Sequence, residues 1–233
     1  TEPLNFHMGG DISLAEQAAR LGSIHTFDRR GEVIFAEDFE NGVTKWDTTG
    51  SDAPYSVVPS NSFARSGNLS AKVVTGVVNT NATELARRLP YQSIGKFGLE
   101  VHFTIPDALA RFYLYIALYD GTNLKQGIIF LDSSTNVLYY VNSAGASIAF
   151  ASGLNIYAGH TLFHVLKLVV DFSNSKFVRV IWNSNQYDLS ANAIYEIPDA
   201  TNPCLRIIAV LQTLENASKT CYVDDIIVTQ NEP

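Results

Sequence analysis

From residue 32 onward, apolar and polar residues alternate with a period of two, as they do in strands that have one buried face. Turn-forming residues, for example Asp120-Gly121, separate these runs. Many short strands with no intervening helix predict an all-β sandwich or barrel. The predicted strands are 32–40, 54–59, 69–75, 83–89, 94–104, 111–119, 126–132, 136–142, 146–152, 162–172, 176–183, 186–189, 204–213 and 219–229.

The first 31 residues follow a different pattern. Ser13 and Glu16 form a capping-box pattern, and Gly22 ends the apolar run that follows. A helix of about two turns is not stable alone, so it must dock on its own domain or on a neighbouring subunit. The docking face of this helix consists of Leu14, Ala18 and Leu21. We therefore predict an N-terminal arm over 1–31 and a sandwich domain over 32–233.

The composition limits the classes of partner. The chain is 46% hydrophobic and only 17% charged, against about 25% charged in typical domains, so Asn, Ser, Thr and Tyr must form much of the surface. Such a surface suits sugars or copies of the same protein. The net charge of −7 argues against nucleic acid or an anionic membrane as the partner. No apolar run reaches the length of a membrane span and no signal peptide is evident, so either a leader was already removed or the protein is used without crossing a membrane by that route. Of the possible locations, we favour an extracellular or virion-surface one.

The two cysteines are predicted to be separate thiols. If 204–213 and 219–229 pair as a hairpin, Cys221 lies opposite a residue several positions away from Cys204. A disulfide is therefore not expected.

Catalytic motifs are weak in this sequence. Asp38 and Glu40 have the i, i+2 spacing that puts two carboxylates on one strand face, as a retaining glycoside hydrolase requires. They lie on the first predicted strand, at the margin of the sandwich. Neither a nucleophile elbow nor a phosphate-binding loop is present. We predict that the protein has no catalytic residues and is not an enzyme.

Three stretches resemble a known family. They are Asp38-Phe39-Glu40 with Gly42 and Trp46, then Ser66-Gly67 with Ser70 and Lys72, and finally "CYVDDIIVT" near the end. In this order they resemble concanavalin A-like and carbohydrate-binding jelly-roll modules. The resemblance covers about 32–229 and implies a two-sheet antiparallel jelly-roll sandwich.

The resemblance also implies a structural calcium ion that joins the first strand, an early loop and the last strand. Independently, Asp224 and Asp225 share faces with apolar neighbours, so at least one is expected to be buried, where an unpaired carboxylate is costly. A calcium ion, or hydrogen bonds from backbone amides or an arginine, would each satisfy it. The implied ligands are Asp38 or Glu40, carbonyls of Ser66-Gly67-Asn68, and Asp225.

A row of tyrosines is the candidate binding face. The segment 111–119 alternates, so that an aliphatic row faces the core and a second row faces the other way. The members of the second row singled out for binding are Arg111, Tyr113, Tyr115 and Tyr119. Three interpretations stay open: a glycan platform, a subunit contact, and an ordinary sheet surface.

Three hypotheses of function follow. The first is a non-catalytic, self-associating structural protein such as a virion coat, decoration or tail component, forming homo-oligomers through its arm. The alternative is a carbohydrate-binding, lectin-like module or adhesin. A β-glucanase-like hydrolase acting through Asp38 and Glu40 is the remote third.

Overall fold

The computed structural model describes residues 28, 30–105 and 109–233. Its secondary structure within these ranges is entirely β-strand, and none of the described segments is a helix that could cross a membrane. The strands are β1 Glu32–Glu37, β2 Asp47–Gly50, β3 Ser56–Ser60, β4 Ser70–Val74, β5 Ala82–Leu89, β6 Lys96–Ile105, β7 Ala110–Tyr119, β8 Asn123–Asp132, β9 Val137–Val141, β10 Ser147–Ala151, β11 Gly159–Asp171, β12 Lys176–Trp182, β13 Asn185–Asp188, β14 Tyr195–Pro198, β15 Cys204–Thr213 and β16 Thr220–Gln230.

The strands form two antiparallel sheets. Sheet I has the order β13-β12-β11-β6-β16-β4-β3, and β1 pairs with β16 beside this path. Sheet II has the order β10-β9-β8-β7-β15-β5-β2, and β14 pairs with β8 beside it. Since most neighbours in each sheet are distant in sequence, the chain crosses repeatedly between the sheets.

The core lies between the inner faces of the two sheets. On β6 the inward side chains are Phe97, Leu99, Val101 and Phe103, and on β7 they are Phe112, Leu114, Ile116 and Leu118; all are almost completely buried. Phe103 and Phe112 stack across the interface with ring centroids 3.8 Å apart. Alternation on two central strands therefore gives each sheet one apolar inner face, and burial of these rows supplies the main driving force for folding.

All fourteen predicted strands correspond to strands of the structure, and two more were missed. The missed β2 has the sequence DTTG, which lacks apolar residues, and β14 has YEIP, which ends in proline. Both lie at positions where a sheet tolerates short, weakly patterned strands: β2 ends sheet II, and β14 pairs only with β8. Their pairing partners, rather than their own sequences, define them.

Two details of the prediction were wrong. The first strand ends at Glu37 rather than at residue 40, because Phe39 adopts a positive φ of 58° and turns the chain. The hairpin assumed for residues 204–213 and 219–229 does not exist, since β15 belongs to sheet II and β16 to sheet I. Cys204 and Cys221 therefore lie in different sheets, and both are free thiols. The predicted helix with Leu14, Ala18 and Leu21 lies outside the described residues.

The outer face of sheet I carries buried charges, beginning with a cluster of two basic and two acidic side chains. Lys167 on β11 donates to Asp28 at 3.0 Å and forms an ion pair with Glu232 at 2.7 Å. Arg179 on β12 also pairs with Glu232. Asp28 precedes the first strand and Glu232 follows the last, so this cluster fixes both ends of the domain on the sheet.

A Gly98→Ala substitution is expected to destabilise the protein by roughly 2–4 kcal/mol. A Cβ at this position on β6 would lie 2.6 Å from Glu232 Oε1 and 2.9 Å from Lys167 Cε, and still closer to the Thr229 hydroxyl. The added methyl group would therefore separate charges that need each other when buried. Urea unfolding measures the loss. Gly95→Ala is the matched control, because the nearest atom to its Cβ is 3.9 Å away; equal stability of both variants would contradict the prediction.

Candidate functional site

Two sites contain the predicted functional residues. The first, which we call the carboxylate clasp, lies on sheet I and consists of Asp224, Asp225 and Glu40 with the segment 65–69 that they hold. The second, the tyrosine face, lies on sheet II around Tyr113 and Tyr115. The clasp forms where β16 is interrupted by a bulge. One half of β16 pairs with β4 up to Val223, and the other half pairs with β1 from Ile226. Between them Asp225 has a positive φ of 44°. The bulge directs the carboxylates of Asp224 and Asp225 toward the residues that precede β4.

Asp225 and Asp224 hold the segment that precedes β4. Arg65 Nη1 donates to Asp225 Oδ2 at 2.7 Å, and Ser66 Oγ donates to Asp225 Oδ1 at 2.7 Å. The backbone N–H groups of Arg65 and Ser66 donate to Asp224 Oδ2 at 2.8 and 3.2 Å. An arginine and backbone amides thus satisfy these buried carboxylates, which is the second of the two arrangements considered from the sequence.

Glu40 holds the next turn of the same segment. Its Oε1 accepts hydrogen bonds from the backbone N–H groups of Leu69 and Asn68 at 2.7 and 2.6 Å, and these bonds lower its pKa. Asp38 accepts from the Glu40 N–H and is exposed. The two side chains lie in a turn after β1 and not on one strand face, so the spacing argument for a hydrolase pair does not apply to them.

His102, on the central strand β6, also contacts the clasp, and the sequence analysis did not identify it. Its Nδ1 lies 3.4 Å from Asp225 Oδ2, and its Nε2 lies 3.3 Å from Glu100 Oε1. Burial opposes charge on the ring, but the hydrogen bonds to Asp225 and Glu100 outweigh it and raise the His102 pKa. The signal in the sequence was the outward row Gly98, Glu100, His102 and Thr104, which is polar on a central strand.

The predicted calcium ligands come together only in part. Glu40 and Asp225 contact the same segment, residues 65–69, but through different residues of it. Within the described ranges, no three His, Cys, Asp or Glu side chains are grouped as a metal centre requires. Calcium at this clasp stays a prediction.

The tyrosine face is the outer face of sheet II. The pairing of β7 with β8 places Tyr113 beside Phe130, and the pairing of β8 with β9 places Phe130 beside Tyr139. Tyr115 is two positions along β7 from Tyr113, on the same side of the strand. These four aromatic residues, Tyr113, Tyr115, Phe130 and Tyr139, form what we call the aromatic ladder.

The rings of the aromatic ladder stack on one another. Ring centroids are 4.6 Å apart between Tyr113 and Phe130 and 4.8 Å apart between Phe130 and Tyr139. These distances match the spacing of neighbouring strands, about 4.8 Å, so the rings stand upright on the sheet with their faces against each other. Phe130, which lies between the other two rings, consequently presents its edge to solvent, instead of the flat face that stacks on a sugar.

A row of polar side chains borders the ladder. Arg111 Nε donates to Asp132 Oδ2 at 2.7 Å, and the Tyr113 hydroxyl donates to Gln212 Oε1 at 3.1 Å. The register places Asp132, Arg111 and Gln212 side by side on β8, β7 and β15. On the other side of the ladder Arg206 pairs with Glu84. The face therefore combines fixed donors and acceptors with a rigid aromatic floor.

Tyr119 does not belong to the open part of this face. It is 7% exposed and packs in a small apolar cluster with Ala117 and Leu124, which Ile197 and Cys204 border. The other predicted members, Arg111, Tyr113 and Tyr115, are partly exposed. The usable face is shorter than the alternation suggested, because neighbouring side chains cover one end of the row.

The hydroxyl groups of Tyr113 and Tyr115 are hydrogen-bond donors at neutral pH. Burial raises the pKa of Tyr113, although Arg111 opposes the shift, and burial raises the pKa of Tyr115 to about 12. A general base needs a pKa near the working pH. The described histidines, His102, His160 and His164, all lie on strands of sheet I. The arrangement suits hydrogen bonding to a ligand better than abstraction of a proton.

Comparison with solved structures decides the fold. An endo-β-1,4-glucuronan lyase from the fungus Trichoderma reesei superposes with a TM-score of 0.63 and 12% identity, covering 85% of this chain and 96% of the lyase. The cellulose-induced protein Cip1 gives 0.55 and 17%, covering 84% and 96%. The carbohydrate recognition domain of Emp47p gives 0.50 and 11%, covering 88% and 99%. These structures share the jelly-roll fold of this chain.

The predicted fold class is thus confirmed as a two-sheet antiparallel jelly-roll sandwich. No family model matches the sequence, and no curated protein matches it either. At identities below 20% the similar jelly rolls show the shared fold and leave the chemistry of the site to its own residues.

Removal of divalent cations is expected to leave the melting temperature of this jelly roll unchanged. Arg65 and Ser66 already neutralise and hydrogen-bond Asp225, the central predicted calcium ligand. Calorimetry of protein treated with EDTA, compared with the same protein after calcium is restored, provides the measurement. A midpoint that falls with EDTA and recovers with calcium would instead establish the ion, since a ligand bound only by the native state stabilises it.

The protein is expected to be more stable at pH 5 than at pH 8, by about 1–3 kcal/mol from Asp224 alone. Burial, reinforced by the charge of Asp225, raises the pKa of Asp224 to about 7, against about 3.9 in the unfolded chain. The folded state therefore binds this proton more tightly, and the contribution is complete below pH 4 and lost as the pH rises through 7. His102, whose pKa is also raised, acts in the same direction, whereas His164, whose pKa burial lowers, acts in the opposite one.

Urea unfolding at the two pH values, in EDTA, measures this difference. Asp224→Asn removes one titrating group and should reduce the pH dependence. An unchanged pH dependence in Asp224→Asn would show that Asp224 is ionised without penalty.

Proposed function

We propose that this protein binds carbohydrate through the tyrosine face of sheet II. The observation that carries the proposal is the polar row Asp132–Arg111–Gln212 beside the Tyr113 hydroxyl, where each group is fixed by a neighbour. Such preorganised donors and acceptors over an apolar floor are what a sugar hydroxyl array requires. The low content of charged residues agrees with a ligand that is rich in hydroxyl groups.

The similar structures support this class of ligand. One is named as a carbohydrate recognition domain and another as a lyase of glucuronan. They give no support to the coat or assembly role that the sequence analysis placed first, and they favour its alternative, carbohydrate binding. An extracellular site of action remains part of the proposal.

The geometry of the face argues for edge-on recognition. Because the rings of the aromatic ladder cover one another, a ligand meets the Tyr113 and Tyr115 hydroxyls and the guanidinium of Arg111. Arg111 lies 5.5 Å from the Phe130 ring centroid, and its pKa is raised by the hydrogen bond to Asp132 in spite of burial. It is therefore a permanent cation with a fixed direction.

A polysaccharide lyase is the second candidate, because one similar structure is such an enzyme and the Tyr113 hydroxyl lies beside Gln212 and the Arg111 row. Elimination from a uronate needs a base and a group that neutralises the carboxylate. Arg111 could serve the second role, but the raised pKa of Tyr113 makes it a poor base. The prediction that the protein is not an enzyme is not confirmed, and the binding proposal has the stronger physical support.

Affinity electrophoresis against a panel of soluble polysaccharides, including glucuronan, xylan, galactan and a soluble cellulose derivative, tests the proposal. Arg111→Ala is expected to weaken binding about tenfold, because it removes a charge-assisted hydrogen bond. Tyr113→Phe, which removes only the hydroxyl, is expected to weaken it roughly twofold to tenfold. Tyr91→Phe, on the β5–β6 connection, is the matched control and should bind as the unsubstituted protein does.

The same samples are incubated with glucuronan and monitored for the ultraviolet absorbance of an unsaturated product. Absence of binding to every polysaccharide would refute the proposal. Formation of product that Tyr113→Phe abolishes would establish the lyase instead.

A further inference from the structure

A second aromatic site lies at one end of the sandwich, in the connection between β10 and β11. Tyr157 is 58% exposed, the highest value among the large hydrophobic residues of the described chain. Its ring stacks on His164, with centroids 6.0 Å apart and planes inclined by 16°. His164 in turn stacks on Trp182 at 4.8 Å and 12°. Three nearly parallel rings thus extend from the core to the surface.

The orientation of Tyr157 is fixed by more than stacking. Its backbone N–H donates to His164 Nε2 at 3.2 Å. His164 is almost completely buried, and burial lowers its pKa, so the ring is neutral and this nitrogen accepts. Trp182 is 2% exposed and cannot move away from His164. With one face against His164 and most of the residue exposed, the opposite face of Tyr157 is presented to solvent in a fixed direction.

Strand β11, which follows Tyr157, begins with an irregular stretch. Gly159 pairs with Ile105 and the next ladder pair is His164 with Phe103, so two positions along β6 correspond to five along β11. The extra residues form a bulge at the sheet margin that exposes Leu162. Bulges of this kind re-aim side chains and are common beside functional sites. The bulge is the feature that brings His164 back into register directly under Tyr157.

Tyr157 differs from the tyrosines of sheet II in the surface it offers. In the aromatic ladder Phe130 lies between two rings, and the end rings Tyr115 and Tyr139 have one ring neighbour each but are only partly exposed, whereas Tyr157 is exposed with one face against His164. An open, immobilised aromatic face is what the C–H face of a pyranose ring packs against. Exposed polar residues on the same two segments, Asn155 and Thr161, can bond to ring hydroxyls.

We propose that Tyr157 is a stacking site for a pyranose ring, distinct from the tyrosine face. The inference rests on the proposed function, because it takes the ligand to be a carbohydrate. The ligand class is a glycan whose sugar has equatorial hydroxyls and a continuous apolar C–H face, such as a β-linked glucosyl, xylosyl or glucuronosyl chain. Tyr157 adjoins sheet I, where the neighbouring Ala158 bridges Ile105, whereas Arg111 lies on β7 of sheet II.

Binding to the polysaccharide panel is compared for the unsubstituted protein, Tyr157→Ala, Tyr157→Phe and Tyr91→Ala. Loss of the ring is expected to weaken binding about tenfold, whereas Tyr157→Phe keeps the ring and should stay within about twofold. Tyr91→Ala removes another exposed tyrosine ring, on the β5–β6 connection, and should have no effect. Melting curves confirm that each variant is folded, which the exposure of Tyr157 favours.

A second measurement reports on the stack directly. The sequence has two tryptophans, so Trp46→Phe leaves Trp182 as the only indole. Saturation with a bound polysaccharide should change the Trp182 fluorescence through His164, and Tyr157→Ala should abolish the change while Tyr91→Phe keeps it.

The outcomes separate the two proposals. A polysaccharide that binds the unsubstituted protein and Tyr157→Ala equally well, with no Trp182 response, overturns the stacking site and leaves carbohydrate binding intact. Absence of binding by the unsubstituted protein overturns both. Binding that is lost in Tyr157→Ala and retained in Arg111→Ala supports the stacking site and moves the main binding surface to this end of the jelly roll.

Discussion

The pairing of buried charges on the outer face of sheet I is the constraint on which the rest of the structure depends. Lys167 and Arg179 are 1% and 5% exposed, and a buried cation without a partner costs several kcal/mol. Their partners, Asp28 and Glu232, come from the two ends of the domain. The buried cations on the central strands of sheet I are therefore paired with carboxylates only when both ends of the domain are in place. This requirement couples the margins of the sandwich to its middle.

The same chain of contacts reaches the carboxylate clasp. The Asp28 backbone N–H donates to Glu100 Oε2, Glu100 Oε1 contacts His102, and His102 contacts Asp225. Asp225 then fixes Arg65 and Ser66 at the entrance to β4. Polar contacts thus extend across the outer face of sheet I from β12 to the loop before β4. The central polar side chains of this face are therefore engaged with one another.

The sequence predicted those features that depend on the alternation of residues within a single strand. The alternation on β6 and β7 was enough to define the core rows and the outward tyrosines. It could not show that the rings of Tyr113, Phe130 and Tyr139 cover one another, because that depends on the register of three strands. Tyr119 was misjudged for the same reason, since the cluster that buries it includes Leu124 from the neighbouring strand.

The clasp shows a different limit. Burial of Asp224 and Asp225 could be argued from their apolar neighbours, but their partner Arg65 lies about 160 positions earlier in the chain and carries no spacing signal. The turn at Phe39, with φ of 58°, was equally hidden, because a phenylalanine gives no sign that it will leave the strand region. Because of that turn, Asp38 and Glu40 do not lie on one strand face, and the spacing argument for a catalytic pair does not apply to them.

The two candidate ligand surfaces use different properties of tyrosine, the hydroxyl group on one and the ring face on the other. On sheet II the rings support one another, and burial raises the pKa of Tyr113 and Tyr115, so the proposed binding there uses donors and acceptors fixed on rigid strands. At the end of the sandwich the Tyr157 ring is held from behind by His164, which stacks on Trp182, so the binding proposed there uses the open ring face. A jelly roll determines neither arrangement, since the first requires register between sheet II strands and the second requires a bulge in β11. The distinction between hydrogen bonding and stacking is therefore encoded in local backbone irregularity and strand alignment, and not in the number of tyrosines.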